Sequence, residues 1–159
     1  MTDERAEAVK AKLATVRADW LAMVGSMSDS DWDQPAFAED SEWRMIDAFR
    51  HIVDSEKGMT GLIIQIKAGG EGVPPDFDID RWNQRVVTKL KDKTAADLFS
   101  EMDANRRTLL GVIESLEPED WDKQGRHGSL QIMSIEEICY LIADHEQAHM
   151  ESMKAVLAE

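Results

Sequence analysis

From Val9 onward, apolar side chains fall at Leu13, Val16, Trp20, Met23 and Met27. Steps of three and four place them along one helix face, which predicts a first helix from about Asp3 to Met27. The same spacing through Ala48, Ile52, Ser55, Met59, Leu62 and Ile66 predicts a second helix. It starts between Ser41 and Met45 and stops at the breaker-rich stretch from Ala68 to Pro75. Asp80-Arg81-Trp82-Asn83 reads as the capped start of a shorter helical piece ending near Lys91. Thr94-Ala95-Ala96-Asp97 resembles a capping box with Asp in place of Glu, opening a helix through Leu98, Met102, Leu109, Ile113 and Leu116. Ser134-Ile135-Glu136-Glu137 has the full capping-box form and opens the last helix, through Ile138, Leu141, His145, His149 and Val156. No segment alternates strongly enough to predict a strand.

The chain also repeats itself. Val24 to Asp33 aligns with Ile113 to Asp122, bringing Trp32 onto Trp121 within an Asp-Trp-Asp turn 89 positions further on. Each copy ends a long helix and leads to another. Two helix-loop-helix halves predict an all-α fold, an antiparallel four-helix bundle with a short inserted helix between the halves. At 159 residues the chain suits one domain, spanning 1–159.

Composition narrows the function. Eighteen Lys and Arg against 32 Asp and Glu give a net charge of -14 without a basic stripe, so a phosphate backbone is repelled and nucleic acid is not an expected partner. No apolar run approaches the roughly 20 residues of a membrane span, and the amino terminus lacks a signal-like pattern. A soluble, cytoplasmic protein acting on a small-molecule substrate is the expectation. The single Cys139 excludes an internal disulfide and any cysteine-based zinc cluster. A metal site must therefore be built from His and carboxylates.

His145-Glu146-Gln147-Ala148-His149 supplies such residues in the form H-E-x-x-H, whose two His stand four apart on one helix and can share a metal. A zinc protease needs a third ligand downstream. Here Ser152 and Ala155 occupy the Gly and His positions of the extended motif, and only ten residues follow His149. There is also no strand to align a peptide. The protease reading fails, and the third ligand is sought upstream at His51, on the second helix. A satisfied core cluster is the alternative to a metal. Buried imidazoles without partners cost roughly 1–3 kcal/mol each, however, and a shared metal supplies those partners.

Trp43 to His51, Asp54-Ser55-Glu56, Phe77 to Asn83, and His127-Gly128-Ser129-Leu130 leading into His145 to His149 together resemble the DinB-like superfamily. That superfamily includes YfiT-type metal-dependent hydrolases and bacterial thiol-dependent transferases and isomerases. The resemblance implies a four-helix bundle with a pocket at one end and a metal triad of His51, His145 and His149. Zinc or nickel is the implied metal, with a low-molecular-weight thiol as a further candidate cofactor. The mycothiol-dependent isomerase branch is similar but typically has Glu where this chain has His145, so its substrate does not carry over.

A metal with an open position favours a bound hydroxide or thiolate, which gives hydrolysis or S-transfer. Glu56, Asp54 and Glu146 are candidate bases or acceptors, with Glu146 ranked below Glu56 because it is expected to turn toward solvent. His127 is a candidate for the pocket mouth, with a solvated loop position favoured. Arg81, Arg126 and Asn83 are candidates for holding an anionic substrate, with surface or capping roles the default. The tryptophans are expected to pack or anchor turns, and Cys139 to be inert core. The competing reading is a non-catalytic bundle that binds a metal, a small ligand or a second copy of itself during a stress response. Homodimerisation through helix faces fits either reading.

Overall fold

The computed structural model describes residues 3–36 and 42–158. Helix α1 is Glu4–Gly25, α2 Met45–Lys67, α3 Ile79–Lys89, α4 Ala95–Ser115 and α5 Ile135–Leu157. The first turn of α1 is capped by Asp3, whose side chain accepts from the Arg5 N–H at 2.8 Å. Its apolar stripe, from Ala6 through Val9, Leu13, Val16 and Trp20 to Met23, is buried. The helix stops two residues short of Met27. Ser26 is the C-cap, and a 3-10 turn follows at Asp29–Asp33.

Helix α2 begins at Met45; the Ser41 end of the expected range lies outside the described residues. Helix α3 is capped by Asp78 rather than Asp80, since the Asp78 side chain accepts from the Arg81 N–H at 3.1 Å, and it ends at Lys89 with Leu90 as C-cap. Both capping boxes form as expected. Thr94 and Asp97 exchange two bonds of 3.1 Å, and Ser134 and Glu137 bonds of 3.0 and 3.1 Å.

The expectation of a chain without strands fails. Gln124–Arg126 (β1) and Ile132–Ser134 (β2) form a two-stranded antiparallel hairpin, with Gln124 opposite Ser134 and Arg126 opposite Ile132. Three residues per strand are too few for alternation to register as a pattern. The glycine loop after α2 joins this hairpin: the Arg126 N–H donates to the Glu71 carbonyl at 2.8 Å, and the Val73 N–H to the Arg126 carbonyl at 2.9 Å. Gly72 permits the junction. Its φ is +93°, and a Cβ there would lie 2.2 Å from the Arg126 nitrogen.

The bundle comprises two parallel pairs set antiparallel to each other. Arg5 meets Glu136 near the N-terminal ends of α1 and α5, while Arg17 meets Glu146 further along both, so these neighbours are parallel. Likewise Glu56 meets Arg106, and Lys67 reaches the Ser115 carbonyl where α2 and α4 end. Lys10 meets Glu114 with the opposite sense, so α1 and α4 are antiparallel. Within each half the two long helices therefore run antiparallel, but they pack chiefly on helices of the other half, α1 on α5 and α2 on α4.

The repeat is visible at atomic detail. In the first turn Asp31 accepts from the Ser28 N–H at 2.8 Å; in the second Asp120 accepts from the Glu117 N–H at 2.9 Å. The core falls into two apolar clusters. One gathers Val9, Leu13, Ile63, Leu109, Trp121 and Ile138; the other Trp20, Met45, Phe49, Leu98, Met102 and Met153. Among the described residues no helix is long and apolar enough to cross a membrane.

Candidate metal centre

His51 lies near the start of α2, two turns from the Met45 end, while His145 and His149 lie one turn apart on α5. The antiparallel packing of α2 on α5 brings all three together. One nitrogen from each imidazole lies within 4.8 Å of the other two. His51 Nε2 and His145 Nε2 are 2.9 Å apart, and the three ring centroids are separated by 4.6–4.9 Å. The rings meet edge-on, at interplanar angles of 67–72°, so ring edges that carry the nitrogens converge where flat stacking would turn them aside. Trp43 packs against His51 at 5.2 Å, and the Ser55 hydroxyl lies 3.5 Å from His51 Nδ1.

Electrostatics keep these donors neutral. Burial, reinforced by the charge His149 would carry, pushes His51 down to about 4. Burial, with the neighbouring imidazoles, pushes His145 down to about 3, and burial alone lowers His149. A neutral imidazole offers a lone pair, the form a divalent metal binds. Three such nitrogens from two helices fit a metal and leave coordination positions beyond the protein's own.

The buried stripe of α5 is not the expected seam. Ile135, Ile138, Cys139, Ile142, Glu146, Met150 and Met153 are buried, while Leu141, His145, His149, Ser152 and Val156 sit at its half-buried edge. The two α5 histidines therefore stand beside the core, and His145 borders a cleft. Glu146, expected to turn toward solvent, is 2% exposed.

Glu146 and Glu56 belong to a buried ion quartet. Arg17 donates from Nε and Nη2 to Glu146 at 3.1 and 2.9 Å, and from Nη2 to Glu56 at 3.2 Å. Arg106 donates to both Glu56 oxygens at 3.2 and 2.9 Å, and to the Leu13 carbonyl at 3.2 Å. In all four long helices this layer falls between the two apolar clusters. Arg17 and Arg106 are also repeat partners, 89 positions apart like the two turns. Sequence reasoning missed both. The signal was a charged residue interrupting an apolar stripe, between Val16 and Trp20 and between Met102 and Leu109.

A cleft of about 420 Å³ borders His51 and His145. Its walls include Met59, Leu62, Val73, Phe77, Ile79 and Leu141, with Asp54, Ser55, Gln65, Asn83 and His127 as polar members. Trp82, expected to pack or anchor, is 44% exposed, lines the cleft and donates from Nε1 to Asp54 at 3.2 Å. His127, for which a solvated loop position was favoured, lines it too. Burial lowers its pKa, and its Nδ1 accepts from the Ser129 N–H at 3.1 Å, which leaves the ring proton on Nε2.

Of the three candidates for an anionic substrate, only Asn83 lines the cleft. Arg81 is exposed, and Arg126 donates to the Val73 carbonyl at 3.2 Å. Cys139 is fully buried, and burial, aided by Glu136, pushes its thiol up to about 12.

A four-helix bundle carrying three convergent histidines at an apolar cleft defines the class of protein. The DinB superfamily profile matches residues 39–153, and the chain belongs to that superfamily. Among solved structures, YfiT from Bacillus subtilis, described as a probable metal-dependent hydrolase with an unusual four-helix bundle topology, is similar with a TM-score of 0.72. The match covers 99% of this chain and 90% of that one at 18% identity, a likeness of fold. No curated protein sequence matches the chain.

Proposed function

We propose that His51, His145 and His149 hold a divalent metal, zinc or nickel, and that the adjoining cleft is the active site of a metal-dependent hydrolase for a small, largely apolar molecule. The observation that carries this reading is the convergence of three neutral imidazoles from two helices, two of which, His51 and His145, line a cleft large enough for such a molecule. The description of YfiT supports it by likeness of fold. A divalent metal supplies Lewis acidity and lowers the pKa of a bound water or thiol.

The chain's own residues do the rest. Met59, Leu62 and Leu141 exclude water from the apolar part of a substrate. His127 presents its Nε2–H as a donor to an oxygen on which negative charge develops. Glu56 and Glu146 act as positioning residues, because guanidiniums already occupy their carboxylates; they fix the segments of α2 and α5 that carry the histidines.

Thiol transfer is a second reading, favoured by the guanidiniums on Glu56 and Glu146, which leave Asp54, in the cleft wall, as the one candidate carboxylate without an arginine. Water attack benefits from a free base, whereas a thiol ionises more readily and needs less help. Metal content of protein purified without a histidine tag tests the centre. About one equivalent is expected, with most of it lost in His51→Ala and His145→Ala. Turnover of ester and amide panels, with and without added low-molecular-weight thiols, separates the two reactions. Stoichiometric metal without turnover in either arm would leave the non-catalytic binding bundle as the reading.

A further inference from the structure

Asp54 is the sole charged side chain among the described residues that line the cleft. No Lys or Arg stands in the wall, and none occurs among the residues outside the description, which are 1–2, 37–41 and 159. Arg126, a neighbour of the lining residue His127, directs a guanidinium nitrogen to the Val73 carbonyl. Asp54 itself has no ion-pair partner among the described Lys, Arg and His side chains; its hydrogen bond is the one from the Trp82 indole. Asp54 is half-buried in the cleft wall, so its carboxylate keeps water on one side and stays open to a cation that enters the cleft. The aromatic pair Phe77 and Trp82, with centroids 5.8 Å apart, stands in the same wall and offers ring faces that attract a cation. The chain's net charge of -14 adds a long-range field of the same sense.

We infer that the cleft selects a small amine-bearing molecule, whose apolar body lies against Met59, Leu62 and Leu141 and whose ammonium meets Asp54 beside Trp82. This rests on the cleft being the substrate site, but it does not depend on the metal. Away from the metal, a substrate carboxylate would find no cationic side chain in the wall and would lose its hydration against apolar side chains. A neutral molecule would fill the apolar walls and leave Asp54 unpaired.

The experiment uses the full chain stripped of metal by chelator, so that a carboxylate cannot bind through the metal. Three matched probes are titrated by calorimetry at pH 7.5: phenethylamine, phenethyl alcohol and 3-phenylpropionate. The amine should bind about five- to tenfold more tightly than the alcohol, and the carboxylate most weakly. Asp54→Asn should reduce the amine's advantage to within about twofold, with the alcohol unchanged. Asn83→Lys, in the same wall, should bring the carboxylate above the amine, and its far-ultraviolet dichroism confirms that it folds.

Equal affinity across the three probes overturns the inference, as does a carboxylate preference in the native chain. Absence of binding by all three, or an amine preference that survives Asp54→Asn, also overturns it. Because the metal is removed, these results are independent of metal content. Amine selectivity in a chain that never binds metal would leave this inference standing and remove the proposed hydrolase.

Discussion

At the scale of single residues, the centre depends on imidazoles that stay neutral where a free histidine would begin to charge. His51 titrates near 4 and His145 near 3, both below the roughly 6.5 of an unfolded chain, because burial disfavours the imidazolium. Between those values the unfolded state binds more protons than the folded one, so stability rises with pH across the window. The contribution is fully present above about pH 6.5 and is lost as pH falls toward 4. The capping carboxylates Asp97 and Glu137 act in the same sense but lower, since hydrogen bonds from the backbone and side chains of Thr94 and Ser134 depress them below the ordinary range. The metal-free protein should therefore show a lower urea midpoint at pH 5 than at pH 7.5. His51→Ala should reduce that difference by the share His51 contributes, leaving the part owed to buried His145 and His149 and, lower, the loss that the caps impose. An unchanged slope in the variant would mean that His51 is not the buried neutral group described.

At the scale of elements, the ion quartet ties the two parallel pairs together. Arg106 and Glu56 join α4 to α2, Arg17 and Glu146 join α1 to α5, and Arg17 crosses between the pairs to Glu56. Arg106→Met leaves two buried carboxylates sharing one guanidinium, and should cost about 3 kcal/mol in urea denaturation. Adding Glu56→Gln removes the unmatched charge and should recover part of that loss; a further loss would contradict the pairing. The helices were legible because their apolar spacing and capping residues are local, and Thr94, Asp97, Ser134 and Glu137 bond as their order implies. The hairpin and the cleft walls were not. Their members, from Met59 to Leu141, meet through folding rather than through spacing. Spacing alone carried only part of the triad: the interval from His145 to His149 is a helical turn, whereas His51, named by its place on the second helix and by the family resemblance, joins them through the packing of α2 on α5.

At the scale of the whole molecule, the candidate centre lies between the two halves of the repeat, with His51 from the first and His145 and His149 from the second. These halves already interlock, since each long helix packs chiefly on one from the other half. A ligand that binds only this assembled arrangement draws the equilibrium toward the folded chain by mass action. At a free metal concentration of 100 times the dissociation constant the gain is about 2.7 kcal/mol. For a chain of this size that corresponds to a rise in Tm of roughly 5–10 °C. Thermal unfolding with chelator and with added zinc or nickel should show that shift in the native chain. His51→Ala leaves only the two histidines of one helix, a site that no longer spans the halves, and the shift should fall to a small fraction. A shift of equal size in that variant would place the metal elsewhere, on α5 alone or on the acidic surface, and would separate metal binding from the interlocking of the two halves.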